Sequence, residues 1–107
     1  MEENNILIAE FLEFDILSNG YYQWQGEMTR SLPDFRNDWN WLMKAVEQLK
    51  LLGVIKGIKI GFNDNEGSYN EIILDNDKIF SVTGKEQQEG LFETIVNFIK
   101  WYKTTQI

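Results

Sequence analysis

The sequence predicts an α+β domain. A three-stranded antiparallel meander packs with about three helices, in the order helix, loop, helix, three strands, helix, as a sandwich-like arrangement. Three observations carry this. Apolar residues recur at helical spacing near both ends and in the centre of the chain. Between residues 54 and 83 the period changes to two, and short turn signals divide that stretch into three runs. One apolar sheet face and helices with wide apolar stripes then need each other to be buried. All 107 residues are expected to form a single domain (1–107), the usual size of one compact unit.

In the first helix, Asn4 or Asn5 is the expected cap of "ILIAEFLEF". Leu7, Ile8, Phe11, Leu12 and Phe14 make its apolar face, with Glu10 and Glu13 outside. Periodicity fails from Asp15 to Asn37. "SNG" signals a turn and "YYQWQG" and "SLPDF" follow, so a partly ordered loop is expected, its aromatics pinned to the body. Residues 21–25 favour a short strand. A second helix starts at Asn37 or Asp38 and stops before Gly53, a residue suited to a left-handed cap.

Ile58, Ile60 and Phe62 alternate with Lys59 and Gly61, as in a strand with one wet face. "NDNEG" reads as a hairpin turn, "SYNEIIL" as a second strand, "DND" as another turn and "KIFSVT" as a third strand. Such short turns imply antiparallel pairing. The last helix begins after Thr83, with Thr83 and Glu86 at capping-box spacing. Its stripe runs through Leu91, Phe92, Ile95, Val96, Phe98, Ile99 and Tyr102.

Hydrophobic residues make up 43% of the chain and aromatics 14%, enough to bury a core without staples. Cysteine and histidine are both absent, which removes disulfides, thiolate and imidazole metal sites, the usual general base and the standard serine triad. The serines lie in no nucleophile-elbow pattern, and the glycines at 53, 57 and 61 make no phosphate-cradling loop. Asp64, Glu66, Ser68 and Asn70 alternate as oxygen donors do in a calcium loop. Counting from Asp64, however, the required glycine position holds Tyr69, and Gly67 suits a hairpin better. No cofactor or metal is expected, and no enzyme. A carboxylate-based reaction is a distant alternative, because acids are plentiful and spacing cannot select a pair.

The formal charge is −7, and residues 1–43 carry eight acids against two arginines. That sign repels phosphate backbones, so no direct nucleic-acid binding is expected. No apolar run is long enough to span a bilayer, and "MEENNILIAEF" is acidic where an export signal is basic. A soluble cytoplasmic protein without a membrane partner is the expectation.

Four tryptophans are candidate partner-binding residues: Trp24, Trp39, Trp41 and Trp101. Trp39 and Trp41 are about 160° apart around a helix, so they flank the stripe centred on Leu42 and cannot share its centre. Both can instead clamp the helix onto the sheet and the aromatic loop. Trp101 also lies off the centre of its stripe.

The strings "NILIAEFLEF", "PDFRNDWNWLMKAVEQL" and "FETIVNFIKWY" resemble a group of small uncharacterised proteins from bacteria and their phages, similar in layout to the phage ABA sandwich domain. The resemblance covers both ends and the central helix. It implies a fold and a phage or prophage provenance, and its motifs are packing motifs. The function these features imply is a non-catalytic protein–protein interaction module with an unidentified protein partner, or a homodimer. The alternative is an acidic inhibitor, a nucleic-acid mimic or toxin-immunity protein, occupying a basic cleft.

Overall fold

The computed structural model describes residues 2–65, 67–84 and 86–105. The fold is α+β. Its elements are α1 (Glu2–Phe11), β1 (Asp15–Ile16), β2 (Tyr22–Trp24), β3 (Glu27–Thr29), α2 (Trp39–Lys50), β4 (Ile55–Asn63), β5 (Gly67–Leu74), β6 (Ile79–Thr83) and α3 (Gln87–Thr105). Strands β4, β5 and β6 form the expected antiparallel meander in that order, and β1, β2 and β3 form a second, smaller one. None of the described helices is long and apolar enough to cross a membrane.

The main sheet has a helix-facing side set by register. Opposed residues share a face, and the pairs Ile58↔Ile72 and Ile72↔Phe80 put an apolar row on one side. Along β5 every second residue is buried: Ser68, Asn70, Ile72 and Leu74. Against them α3 lays Leu91, Phe92, Ile95, Phe98 and Ile99, all fully buried. Phe98 meets Phe80 edge to face, with ring centroids 5.8 Å apart. The first turn of α3 is tied to the same sheet by Gln87 Nε2, which donates to Oδ1 of the buried Asn70 at 2.7 Å. The core also takes in Ile8 of α1 and Leu42, Ala45, Val46 and Leu49 of α2.

Helix α2 starts as expected. Asp38 has extended backbone and its Oδ1 accepts from the Trp41 amide at 3.2 Å. In the β4–β5 turn, Gly67 has φ 79°, the left-handed conformation a hairpin asks of it. Ser68 and Asn70 point into the helix layer, which takes both away from the calcium-loop pattern. Glu66 lies outside the described residues.

Several expectations are corrected. Helix α1 begins at Glu2, so neither Asn4 nor Asn5 caps it. Asn5 is inside the helix and buried, and its Oδ1 accepts from the Phe35 amide at 3.1 Å. A tertiary partner takes the side chain that local pattern assigns to a cap. The helix stops at Phe11, and Glu13 at φ 63° turns the chain so that Phe14 packs from beyond it. Thr83 closes β6, and the Gly90 amide donates to Glu86 O at 2.8 Å, so Glu86 itself stands at the N-cap of α3 and no Thr83–Glu86 capping box forms. Ile60 and Phe62 share the helix-facing side but are 37% and 71% exposed, because the helices do not cover the far end of edge strand β4.

The segment from 15 to 37 is more ordered than a pinned loop. Its strands pair as Asp15↔Gln23, Ile16↔Tyr22, Tyr22↔Thr29 and Trp24↔Glu27. The β2–β3 turn is Gln25–Gly26, with φ 48° and 86°, the two-residue hairpin form whose twist matches the strands.

Candidate functional site

Trp24, Trp41, Phe14 and Phe35 form one aromatic cluster between α1, the small sheet and α2. Trp24 stacks on Phe14 with centroids 5.9 Å apart, and Trp41 lies 5.5 Å from Phe14 and 6.2 Å from Phe35. The indole N–H of Trp24 donates to Leu12 O at 2.8 Å, satisfying a carbonyl at the end of α1. Lys44 Nζ sits 4.4 Å above the Trp41 ring and pairs with Glu27 on β3, so this pair closes the cluster from outside. Trp24 is only 7% exposed. As a partner-binding candidate it is corrected: it is a core residue, and Trp41 is the ring the aromatic segment covers. Trp101 is half-buried, 5.6 Å from Phe80 and 6.1 Å from Phe98. Trp39 keeps 40% of its surface in water and is the tryptophan most open to a partner.

The link from α1 to α2 runs through Asp34. Its carboxylate accepts from Asn37 Nδ2 at 2.8 Å, and Asn5 Nδ2 approaches it at 3.5 Å. These hydrogen bonds, Asn37's first, hold the Asp34 carboxyl below its ordinary pKa against a smaller opposing effect of burial. A depressed folded-state pKa contributes stability that is fully present above the unfolded value and is lost as pH falls through the folded one. Asp34→Asn is therefore expected to lower the melting temperature at neutral pH, and its deficit should close as the pH falls below the ordinary carboxylate range. Thermal denaturation of both proteins across that range checks this. A deficit independent of pH would contradict it.

A groove not legible in the sequence lies on the other side of Phe14. Ile6, Ala9 and Glu10 of α1 form one wall, Ile16 and Tyr22 of the small sheet the other, and Leu32 contributes from the segment before α2. Its volume is about 210 Å³, and Glu10 is the one charged residue lining it among the described residues. Ile6 is 45% and Ile16 73% exposed. Ile16 belongs to a two-residue strand with no period to read, and only the pairing Ile16↔Tyr22 brings it opposite α1.

A polar cleft of about 330 Å³ gathers Glu86, Glu89 and Arg36. Both acids come from the start of one helix, and Arg36 Nη1 holds Glu89 at 3.1 Å, so they are not opposed across a cleft as paired carboxylate catalysis requires. Among the described residues, no three acidic side chains are grouped closely enough to hold a metal ion. The chain matches no family model, no curated protein and no solved structure.

Proposed function

We propose that this protein is a non-catalytic protein–protein interaction module of phage or prophage type, working inside the cell through contact with a protein partner. The observation that carries the reading is the apolar surface left outside a well-closed core: Ile16 and Phe62 are more than two-thirds exposed, and Trp39 is 40% exposed. Scattered exposed apolar residues are ordinary, but Ile6 and Ile16 line a shared concavity, as residues that receive a partner do. The net charge of −7 favours a protein partner over nucleic acid. The resemblance of both ends and the central helix to small phage-type proteins supports the provenance.

An acidic inhibitor that enters a basic cleft needs its acids on a projecting face. Here Glu10 lines a concave groove, which favours a module that receives a segment. Light scattering together with capture from a bacterial lysate on the immobilised chain tests the proposal. A specific partner, reduced by Ile16→Ser or by Trp39→Ser with Phe62→Ser, is the expected result. A strict monomer that retrieves nothing would sink it.

A further inference from the structure

We propose that the groove between α1 and the small sheet is the docking site, and that its occupant is a cationic amphipathic segment of a partner protein. Such a segment would place one large apolar side chain in the groove and lysines or arginines along its rim. This deepens the interaction-module reading and rests on it.

Size and lining select the apolar part. About 210 Å³ is below the roughly 300–1,000 Å³ of small-molecule pockets and suits one inserted side chain. Ile6, Ala9, Phe14, Ile16 and Leu32 offer it hydrocarbon, and Tyr22 offers a ring. The two apolar wall residues most exposed to water, Ile6 and Ile16, stand on opposite sides, so one inserted side chain would cover both.

Charge selects the rest. Residues 2–32, which include every wall of the groove, hold six acids and one base, Arg30. Glu3, Ile6 and Glu10 fall on one stripe of α1, because positions three and four apart are neighbours on a helix. Asp15 immediately precedes Ile16 and is exposed, whereas Glu13 lines a separate cleft with Phe11, Gln48, Leu52 and Tyr102. Two of the six acids are already paired, Glu27 with Lys44 and Glu10 with Lys103 at 3.7 Å. Of the acids beside the groove, Glu3 and Asp15 have no cationic partner among the described residues. An apolar cleft flanked by uncompensated carboxylates is complementary to a segment that alternates leucine-like and lysine-like residues. An acidic segment would be repelled, and a purely basic one would leave the groove empty.

The probe is a labelled synthetic peptide of Leu-Lys-Lys-Leu repeats, with one counterpart carrying glutamate for lysine and another serine for leucine. Fluorescence anisotropy with the full chain should show binding of the first at low ionic strength, weakening as salt rises. Both counterparts should bind at least about tenfold more weakly, as should the first peptide to Ile16→Ser and to the Glu3→Lys/Asp15→Lys double variant. All three positions are exposed, and circular dichroism of each variant checks that it is folded. Leu51→Ser, at the exposed end of α2, should leave binding unchanged.

Equal binding of the glutamate peptide, or indifference to Ile16→Ser, overturns the proposal. Loss of binding in Phe62→Ser but not in Ile16→Ser moves the site to β4 and also overturns it, while leaving the module reading intact. A dimer that Ile16→Ser turns into a monomer makes the occupant a second copy and refutes the cationic segment. The lysate experiment separates the two failures. A partner captured undiminished by Ile16→Ser defeats the groove alone, whereas no partner at all defeats the module.

Discussion

Phe35→Ala is expected to lower the free energy of unfolding by about 3–5 kcal/mol, the range for emptying a buried aromatic position. Phe35 is completely buried although it sits on the segment between the small sheet and α2. Its ring meets Phe14 and Trp41 at 6.2 Å each, both edge to face, and its amide donates to Asn5 Oδ1 within α1. One residue therefore joins α1, the chain beyond its end and α2. Removing the ring leaves a cavity whose walls come from three separate elements, which cannot collapse by moving one of them. Domains of this size are stable by roughly 5–15 kcal/mol, so the loss is a large fraction of the total. Urea denaturation gives the number, and a loss under about 1 kcal/mol would place Phe35 outside the core. Asn5→Ala provides the comparison. It strands the buried Phe35 amide without opening a large cavity, and is expected to cost about 1–3 kcal/mol.

What the sequence disclosed divides along physical lines. The meander and α2 were legible because each is long enough for its period to repeat and each carries its own stop signals. Asp38, Gly67 and the "DND" turn act locally, so their roles survive folding unchanged. The small sheet was not legible, because strands of two and three residues have no period, and Gln25–Gly26 lacks the asparagine that usually marks such a turn. The alternation of Ile58, Ile60 and Phe62 correctly named residues on one face. It could not say how far along that face the helices reach, which is why Phe62 is exposed. Asn5 shows the opposite error, a residue with strong local cap character used for a contact thirty residues away. For the tryptophans, helical geometry placed Trp39 and Trp41 on opposite flanks. Only the packing of Phe14, Trp24 and Phe35 decided which was covered. The groove belongs to the same class of information. Its two walls are sixteen residues apart from Ile6 to Tyr22, and the pairing of Ile16 with Tyr22 builds the second of them.

Trp24 offers the second large effect, and two substitutions there separate packing from hydrogen bonding. Trp24→Phe keeps an aromatic ring against Phe14 but removes the indole N–H that Leu12 O accepts at 2.8 Å. A carbonyl left without its donor at the buried end of α1 is expected to cost about 1–3 kcal/mol. Trp24→Ala removes the ring as well, and the expected loss is about 3–5 kcal/mol. Where that loss appears matters for function. A sheet with strands this short is marginal without something to pack on, and Trp24 is the one buried residue of its strands, being 7% exposed while Tyr22 and Thr29 are only half-buried. Hydrogen exchange of Trp24→Ala should therefore show amides of residues 15–29 losing protection well before those of β5, which α3 covers. Ile16 and Tyr22 form one wall of the groove, so Trp24→Ala should also abolish binding of the leucine–lysine peptide while the main sheet stays protected. Trp24→Phe, with the small sheet still docked, should retain it. If both variants bind the peptide equally well, the wall does not depend on Trp24, and the coupling of the aromatic cluster to the groove is refuted.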